Sequence, residues 1–220
     1  MRDLNQLIIK FDYEKNFHDE DFYVSKSNKH VFDLLMKWPT WEKNFVNISG
    51  EKFSGKSHLM NIFLKKNKGI KIDFNSIKNI DFKNLKIYEN IVLEDVTTNT
   101  NEELLYTLFN IVEQDNKYII VTSKDSIAEM NFSLDDLRSR TKNFLLQNIE
   151  KPDDELMFAI ILKNLSDRQI SLSQKLINYI IQRIERSYSK IFDFIYKIDE
   201  LSLKKKKSID FKIIKEVLGE

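Results

Sequence analysis

Apolar positions along the chain follow two rhythms as far as Glu150 and only one after it. Short, nearly unbroken apolar runs predict buried strands at Asn44–Ser49, Gly69–Asp73, Ile87–Leu93, Tyr118–Ser123 and Phe144–Leu146. Helical spacing separates them. Val31, Leu34 and Leu35 predict a helix over about Asn28–Lys37, which Pro39 cannot continue. His58–Leu64 predicts a second helix. Leu104, Leu105, Leu108, Ile111 and Val112 share one face of a third, over Asn101–Gln114. Strands alternating with helices predict an α/β fold with a parallel sheet. Trp38 and Trp41 read as packing side chains, and a polar stretch links Asp73 to about Lys86.

Pro152 breaks this alternation, and Asp153 is a candidate N-cap for the next helix. Beyond it the spacing is helical throughout. Leu156, Ala159, Ile160 and Leu165 face one way, then Leu176, Ile177, Ile180, Ile181 and Ile184, and then Ile191, Phe194, Ile195 and Ile198. Ile209-Asp210 opens a last short helix. Lys204–Lys207 is expected between helices, as a solvated loop rather than a nucleic-acid patch.

One stretch carries chemistry. Gly50-Glu51-Lys52-Phe53-Ser54-Gly55-Lys56-Ser57 fits G-x-x-x-x-G-K-[ST], set between a predicted strand and a predicted helix. That context is what phosphate binding needs, because loop N–H groups and a helix N-terminus then converge on one anion. The chain has only four Gly, and two of them stand at the two required positions. Lys56 is expected to neutralise a β-phosphate, Gly55 to allow close backbone approach and Ser57 to face Mg²⁺. Phe53 and Ser54 are bulkier than the residues most such loops carry. The third predicted strand runs into Glu94-Asp95, where one carboxylate can hold Mg²⁺ and the other orient a water. The fourth ends in Thr122-Ser123, hydroxyls able to reach a γ-phosphate or water, Ser123 being equally able to cap the next turn.

Composition narrows the remaining possibilities. A net charge of +1 supplies no global field toward nucleic acid or an anionic membrane. Without Cys there is neither a disulfide framework nor a thiolate metal site, and three scattered His do not make a metal centre. No apolar run approaches a membrane span and the N-terminus has no signal-peptide core, so a cytoplasmic location is expected. Gln6-Leu7-Ile8-Ile9-Lys10-Phe11 precedes any core element. It reads as an exposed apolar arm for a partner or as an edge strand tucked onto the domain.

Together these pieces resemble the AAA+ ATPases, and within them the DnaA clade. Phe22-Tyr23-Val24-Ser25-Lys26-Ser27-Asn28 is similar to that clade's segment beside the adenine. Gly55-Lys56-Ser57-His58-Leu59 matches its loop, His58 included. Asp136-Leu137-Arg138-Ser139-Arg140 matches the segment carrying its arginine finger, with Arg140 at the finger position and Arg138 as the competitor. The resemblance implies an AAA+ core over residues 16–150, a small helical lid over 151–220 and an arm over 1–15. It implies ADP or ATP with Mg²⁺ at Phe22, Tyr23, Gly50, Ser54, Gly55, Lys56, Ser57, His58 and Lys190, with Ser57 and Asp95 on the metal. Glu94, Asp95, Thr122 and Arg140 would be the catalytic set.

The arm resembles a sliding-clamp-binding motif, with Leu7, Ile9 and Phe11 as anchors and Gln6 as the polar contact. With no helix-turn-helix domain and no preceding self-association domain expected, the arrangement is similar to the Hda-type regulators. Trp38-Pro39-Thr40-Trp41 is similar to their alphaproteobacterial form. Such a regulator of replication initiation acts on DnaA and meets DNA through the clamp, and a homo-oligomer is compatible with it. Glu94 replaces the Asp expected first in the acidic pair, and Ser189 stands at the second sensor arginine with Arg186 and Lys190 close by. Both changes imply weak or absent hydrolysis by the chain itself. The competing expectation is a DnaA-related, helicase-loader-like ATPase acting on single-stranded DNA. A small-molecule P-loop kinase leaves Arg138-Ser139-Arg140 and the helical lid unexplained.

Overall fold

Alternating side chains on the central strands settle how the chain layers. In a computed structural model describing residues 22–74, 82–98, 101–205 and 208–220, five parallel strands form one sheet. They are β1 (Phe45–Ser49), β2 (Gly69–Asp73), β3 (Asn90–Val96), β4 (Tyr118–Ser123) and β5 (Leu145–Asn148), in the order β2-β3-β4-β1-β5. Parallel neighbours need crossover connections, which bury both faces. Ile91 and Leu93 of β3, with Ile119 and Val121 of β4, pack against Leu105, Leu108, Phe109 and Val112 of α3 (Glu102–Gln114). The intervening Val92 and Ile120 point the other way with Val46 and Ile48. They meet Val31 and Leu35 of α1 (Lys29–Met36) and Leu59, Met60 and Phe63 of α2 (Lys56–Lys66). This period of two, with both faces covered, explains why these strands read as unbroken apolar runs. Trp41 is buried in the second cluster and Trp38 packs beside it. A short α4 (Asp135–Thr141) precedes β5.

Several boundaries differ from expectation. β3 begins at Asn90 rather than Ile87. Residues Phe82–Ile87 form a 3₁₀ segment and Ile87 is 78% exposed. Asn90 anchors the start of β3 by donating Nδ2–H to Lys68 O at 2.9 Å. Glu94 and Asp95 lie inside β3 rather than beyond its end, at a register shift between Leu93 and Val96 where Asp95 has φ 57°. β5 begins at Leu145, since Phe144 turns into the core instead.

The second unit is helical: α5 (Asp154–Asp167), α6 (Gln174–Ile181), α7 (Tyr188–Lys205) and α8 (Phe211–Leu218). Its own core joins Ile161, Ile177, Ile180, Ile191, Ile195 and Ile214. Lys204 and Lys205, expected between helices, belong to the last turn of α7, where cations favour the C-terminal end. They pair with Glu200 and Glu216. The arm residues Gln6, Leu7, Ile9 and Phe11 lie outside the described residues. Among the described residues no helix is long and apolar enough to cross a membrane.

Two carboxylates fasten the helical unit to the sheet. Asp153 caps α5, accepting Leu156 N–H at 2.8 Å, and also accepts Ser27 Oγ–H at 2.9 Å. Glu51, in the loop after β1, reaches the start of α7. It accepts Tyr188 N–H at 3.0 Å, Ser189 N–H at 3.1 Å and the Ser187 hydroxyl. Burial pushes the Glu51 carboxyl up, but these hydrogen bonds outweigh it and hold it below its ordinary 4.5. A helix N-terminus favours an anion, and losing a capping acceptor costs about 1 kcal/mol. Glu51→Ala is therefore expected to speed amide exchange at Tyr188 and Ser189 and to lower stability by about 1 kcal/mol. Because the folded value is depressed, this difference is full above pH 4.5 and shrinks as pH falls through the folded value. Unchanged exchange at both amides would remove Glu51 as the anchor of the lid helix.

Candidate functional site

The loop from Gly50 to Gly55 is fixed at both ends. Gly50 N–H donates to Ser123 O at 3.2 Å and Lys124 O at 3.1 Å, fastening the loop to the end of β4. Asn47, fully buried in β1, braces the same edge. Its Nδ2–H groups reach Val121 O (3.0 Å) and Ser123 Oγ (2.9 Å), and its Oδ1 accepts Ile127 N–H (3.0 Å). Ser123 in turn donates to Asp125 O at 2.6 Å, so its hydroxyl is used inside the protein. Gly55 has φ 92°, a left-handed conformation that favours glycine, and an added Cβ would sit 3.1 Å from the Phe22 ring. Phe22 closes that side of the loop, edge-on to His58 at 5.3 Å and stacked on Phe32 at 6.0 Å. Tyr23 is exposed, and its carbonyl accepts Asn28 Nδ2–H at 3.0 Å.

Lys56 opens α2 with only 8% exposure. Its ammonium donates to Gly50 O at 2.6 Å and Glu51 O at 3.0 Å, so it folds back onto the loop's own carbonyls. Burial lowers its pKa, opposed by the negative charges of Asp95, Glu51 and Glu94. Ser54 Oγ is buried with no hydrogen-bond partner among the described residues. A buried cation, an orphaned hydroxyl, a glycine cradle and a helix N-terminus together fit a phosphate anion. Ser57 is half-buried in the first turn of α2.

The acidic pair is split. Glu94 pairs with Lys71 of β2 at 3.3 Å, and Lys71 also donates to Asn61 Oδ1 of α2 at 3.1 Å. Glu94 Oε1 is buried without a partner among the described residues. Asp95 is exposed at the bulge, where its N–H donates to Thr122 Oγ1 at 3.1 Å. Among the described residues no three His, Cys, Asp or Glu cluster as metal ligands. Any metal here would thus draw on few protein ligands, as Mg²⁺ does beside phosphates.

On the lid side, Arg186 pairs with Asp154 at 2.8 Å, and Lys190 is exposed in the first turn of α7. Ser189 meets the loop through its backbone N–H on Glu51. Phe53, at φ 70°, packs against Phe192 of α7 with centroids 4.7 Å apart and the rings tilted by 33°. Two side chains from the variable positions of the loop, Glu51 and Phe53, therefore contact the lid. Nothing in the spacing of the sequence announces the Glu51 and Phe192 contacts. Asn47 does leave a signal, a lone amide within an apolar strand.

Arg140 lies apart from this cradle. Its Nη1 donates to Asn110 Oδ1 at 2.7 Å, its Nη2 meets Glu113 Oε2 at 2.9 Å, and its guanidinium lies 5.2 Å from the Tyr106 ring centroid. The groove holding it is lined by Phe45 at the start of β1, whereas the loop leaves the other end of that strand. That separates the two places by about 13 Å of strand rise. Arg138 pairs instead with Asp135 on its own helix.

Comparison with known proteins adds its likenesses. The family model described as "Hda, lid domain" matches residues 153–218. The chromosomal replication initiator protein DnaA of Buchnera aphidicola subsp. Cinara cedri is 25% identical over 98% of this chain and 55% of that protein. The chain spans about half the length of the DnaA relatives it matches. Domain III of the Thermotoga maritima replication initiation protein DnaA has a similar fold. Its TM-score is 0.72 at 20% identity, covering 94% of this chain and 97% of that one. A DnaA structure bound to AMPPCP and single-stranded DNA matches with TM-score 0.66 and 20% identity, covering 88% of this chain and 69% of that one. The lid match, the DnaA relatives and the fold shared with DnaA domain III together support an Hda-like, DnaA-related AAA+ protein.

Proposed function

We propose that the chain regulates chromosomal replication initiation by stimulating ATP hydrolysis on DnaA through Arg140, while docked on the DNA polymerase sliding clamp through Gln6, Leu7, Ile9 and Phe11. The observation that carries this reading is the place of Arg140. Its guanidinium is held on α3 at a groove, and its contacts run to that helix and not to the chain's own loop. A fixed guanidinium offered to another molecule's nucleotide acts on charge that develops at a γ-phosphoryl group in the transition state. The lid match and the DnaA relatives support DnaA as that other molecule.

Adenine nucleotide belongs at Gly50, Ser54, Gly55, Lys56, Ser57 and His58, with Phe22 and Tyr23 on the base side. Lys56 meets the β-phosphate there, and Ser57 with Asp95 holds Mg²⁺. The bound nucleotide supplies anionic charge that satisfies the cradle. Glu94 is turned to Lys71, and Ser189 presents no cation at the lid. Both support ADP as a resident ligand and weak turnover by the chain itself, leaving Thr122 to hold Asp95 in place. A cytoplasmic location, with DNA met through the clamp, completes the reading.

Lys56→Ala is expected to weaken ADP binding by roughly 100-fold or more, since a buried phosphate loses its counter-charge. Calorimetry that returns an unchanged affinity removes the site assignment.

Arg140→Ala is expected to keep its fold, its ADP and its clamp binding, yet lose roughly 10³-fold or more in stimulated DnaA hydrolysis. Arg140→Lys should fail nearly as badly, because a point charge on a flexible stem does not reproduce the planar fork. Full stimulation by Arg140→Ala at matched protein and clamp concentrations would sink the finger reading.

Replacing Gln6 and Leu7 together by Ala should abolish clamp pull-down and leave the melting midpoint nearly unchanged. A fall of many degrees would make the segment a core strand instead. A clean gel shift of single-stranded DNA without clamp would favour the helicase-loader-like alternative.

A further inference from the structure

The face of α3 turned toward α4 carries Tyr106, Asn110 and Glu113, one helical turn apart in succession. All three converge on one guanidinium. Asn110 Oδ1 takes an N–H from Nη1 at 2.7 Å, Glu113 Oε2 meets Nη2 at 2.9 Å, and the Tyr106 ring lies 5.2 Å from the central carbon. The Arg140 side chain is 23% exposed as a result. Two residues earlier, the Arg138 side chain is 51% exposed and has one ion pair, to an Asp135 that is itself 84% exposed. A guanidinium has five N–H donors. Two engage α3, which leaves three without an acceptor among the described residues, beside the groove lined by Asp136, Arg140 and Asn143.

We infer that Asn110 and Glu113 are positioning residues for Arg140: they hold its guanidinium plane on α3 so that the free edge faces a partner's terminal phosphate. The inference rests on the finger reading above. Glu113 is 64% exposed, so solvent screens its charge and its role is geometric. Arginine otherwise has many rotamers, and a guanidinium that must find its place during the reaction loses the advantage of preorganisation. Misplacement of a reacting group by about 1 Å costs up to roughly 100-fold in rate.

The test uses the full chain with clamp-loaded DNA and ATP-bound DnaA, titrated to saturation. The variant Asn110→Ala/Glu113→Ala should lower the maximal stimulated rate by roughly 10-fold or more. The concentration giving half-maximal stimulation should move by less than about two-fold. Adding Arg140→Ala to this variant should cost nothing beyond Arg140→Ala alone, because the three groups act as one unit. Asn110→Asp, which keeps an acceptor of the same shape, should restore most of the rate lost in Asn110→Ala. A maximal rate equal to wild type in Asn110→Ala/Glu113→Ala, alongside lost stimulation in Arg140→Ala, overturns the positioning role and leaves the finger intact. A shift confined to the half-maximal concentration overturns it as well, since that would be a docking contact. Full stimulation by Arg140→Ala overturns the finger reading on which the inference depends.

Discussion

The first backbone N–H groups of a helix have no partner within the helix, and those of α7 find one in the phosphate loop. The Glu51 carboxylate meets Tyr188 and Ser189 across the junction between sheet and lid. The next residue but one, Phe53, packs against Phe192 one turn further along the same helix. Both contacts come from the variable positions of the loop, where smaller side chains would leave this side of the lid unattached to the loop. Here the protein supplies its own anion to the positive end of the lid helix. That constraint sets the loop's path. Gly50 is pinned to β4, Glu51 to α7, and Lys56 folds back onto the carbonyls of both.

At the sheet edge the acids take different directions for local reasons. Thr122 takes the N–H of Asp95 where β3 slips register, so Asp95 turns outward with a left-handed backbone. Glu94 keeps the strand's alternation and meets Lys71 on the neighbouring strand. The bulge therefore separates two adjacent carboxylates that would repel if they shared one site. Phe45 and Ser49, the two ends of β1, belong to the groove of Arg140 and the base of the phosphate loop respectively. One short strand thus separates the loop from the groove of Arg140.

Elements with a period are legible in the sequence. β4 and α3 fall where unbroken apolar residues and an apolar stripe put them, and Asp153 caps α5 as its place after Pro152 suggests. The departures have local causes. Ile87 is apolar yet exposed, so the apolar run preceding β3 overstates the strand. The lysines ending α7 read as a loop when charge is weighed above helix termination. Of the candidate site, the glycines, Lys56 and Ser57 are readable because their chemistry needs a fixed spacing. Asn110 and Glu113 are not, since a polar helix face looks the same whether it meets water or an arginine.

Ser27 donates its hydroxyl to Asp153 and accepts the Asp153 N–H at 3.0 Å, while its carbonyl accepts Glu150 N–H at 3.1 Å. The segment from Phe22 to Asn28 is thereby riveted to the joint between sheet and lid, at a point separate from the Glu51 anchor. The aromatic wall over Gly55 and the entry to the first lid helix thus rest on one small side chain, so a change at Ser27 reaches both at once.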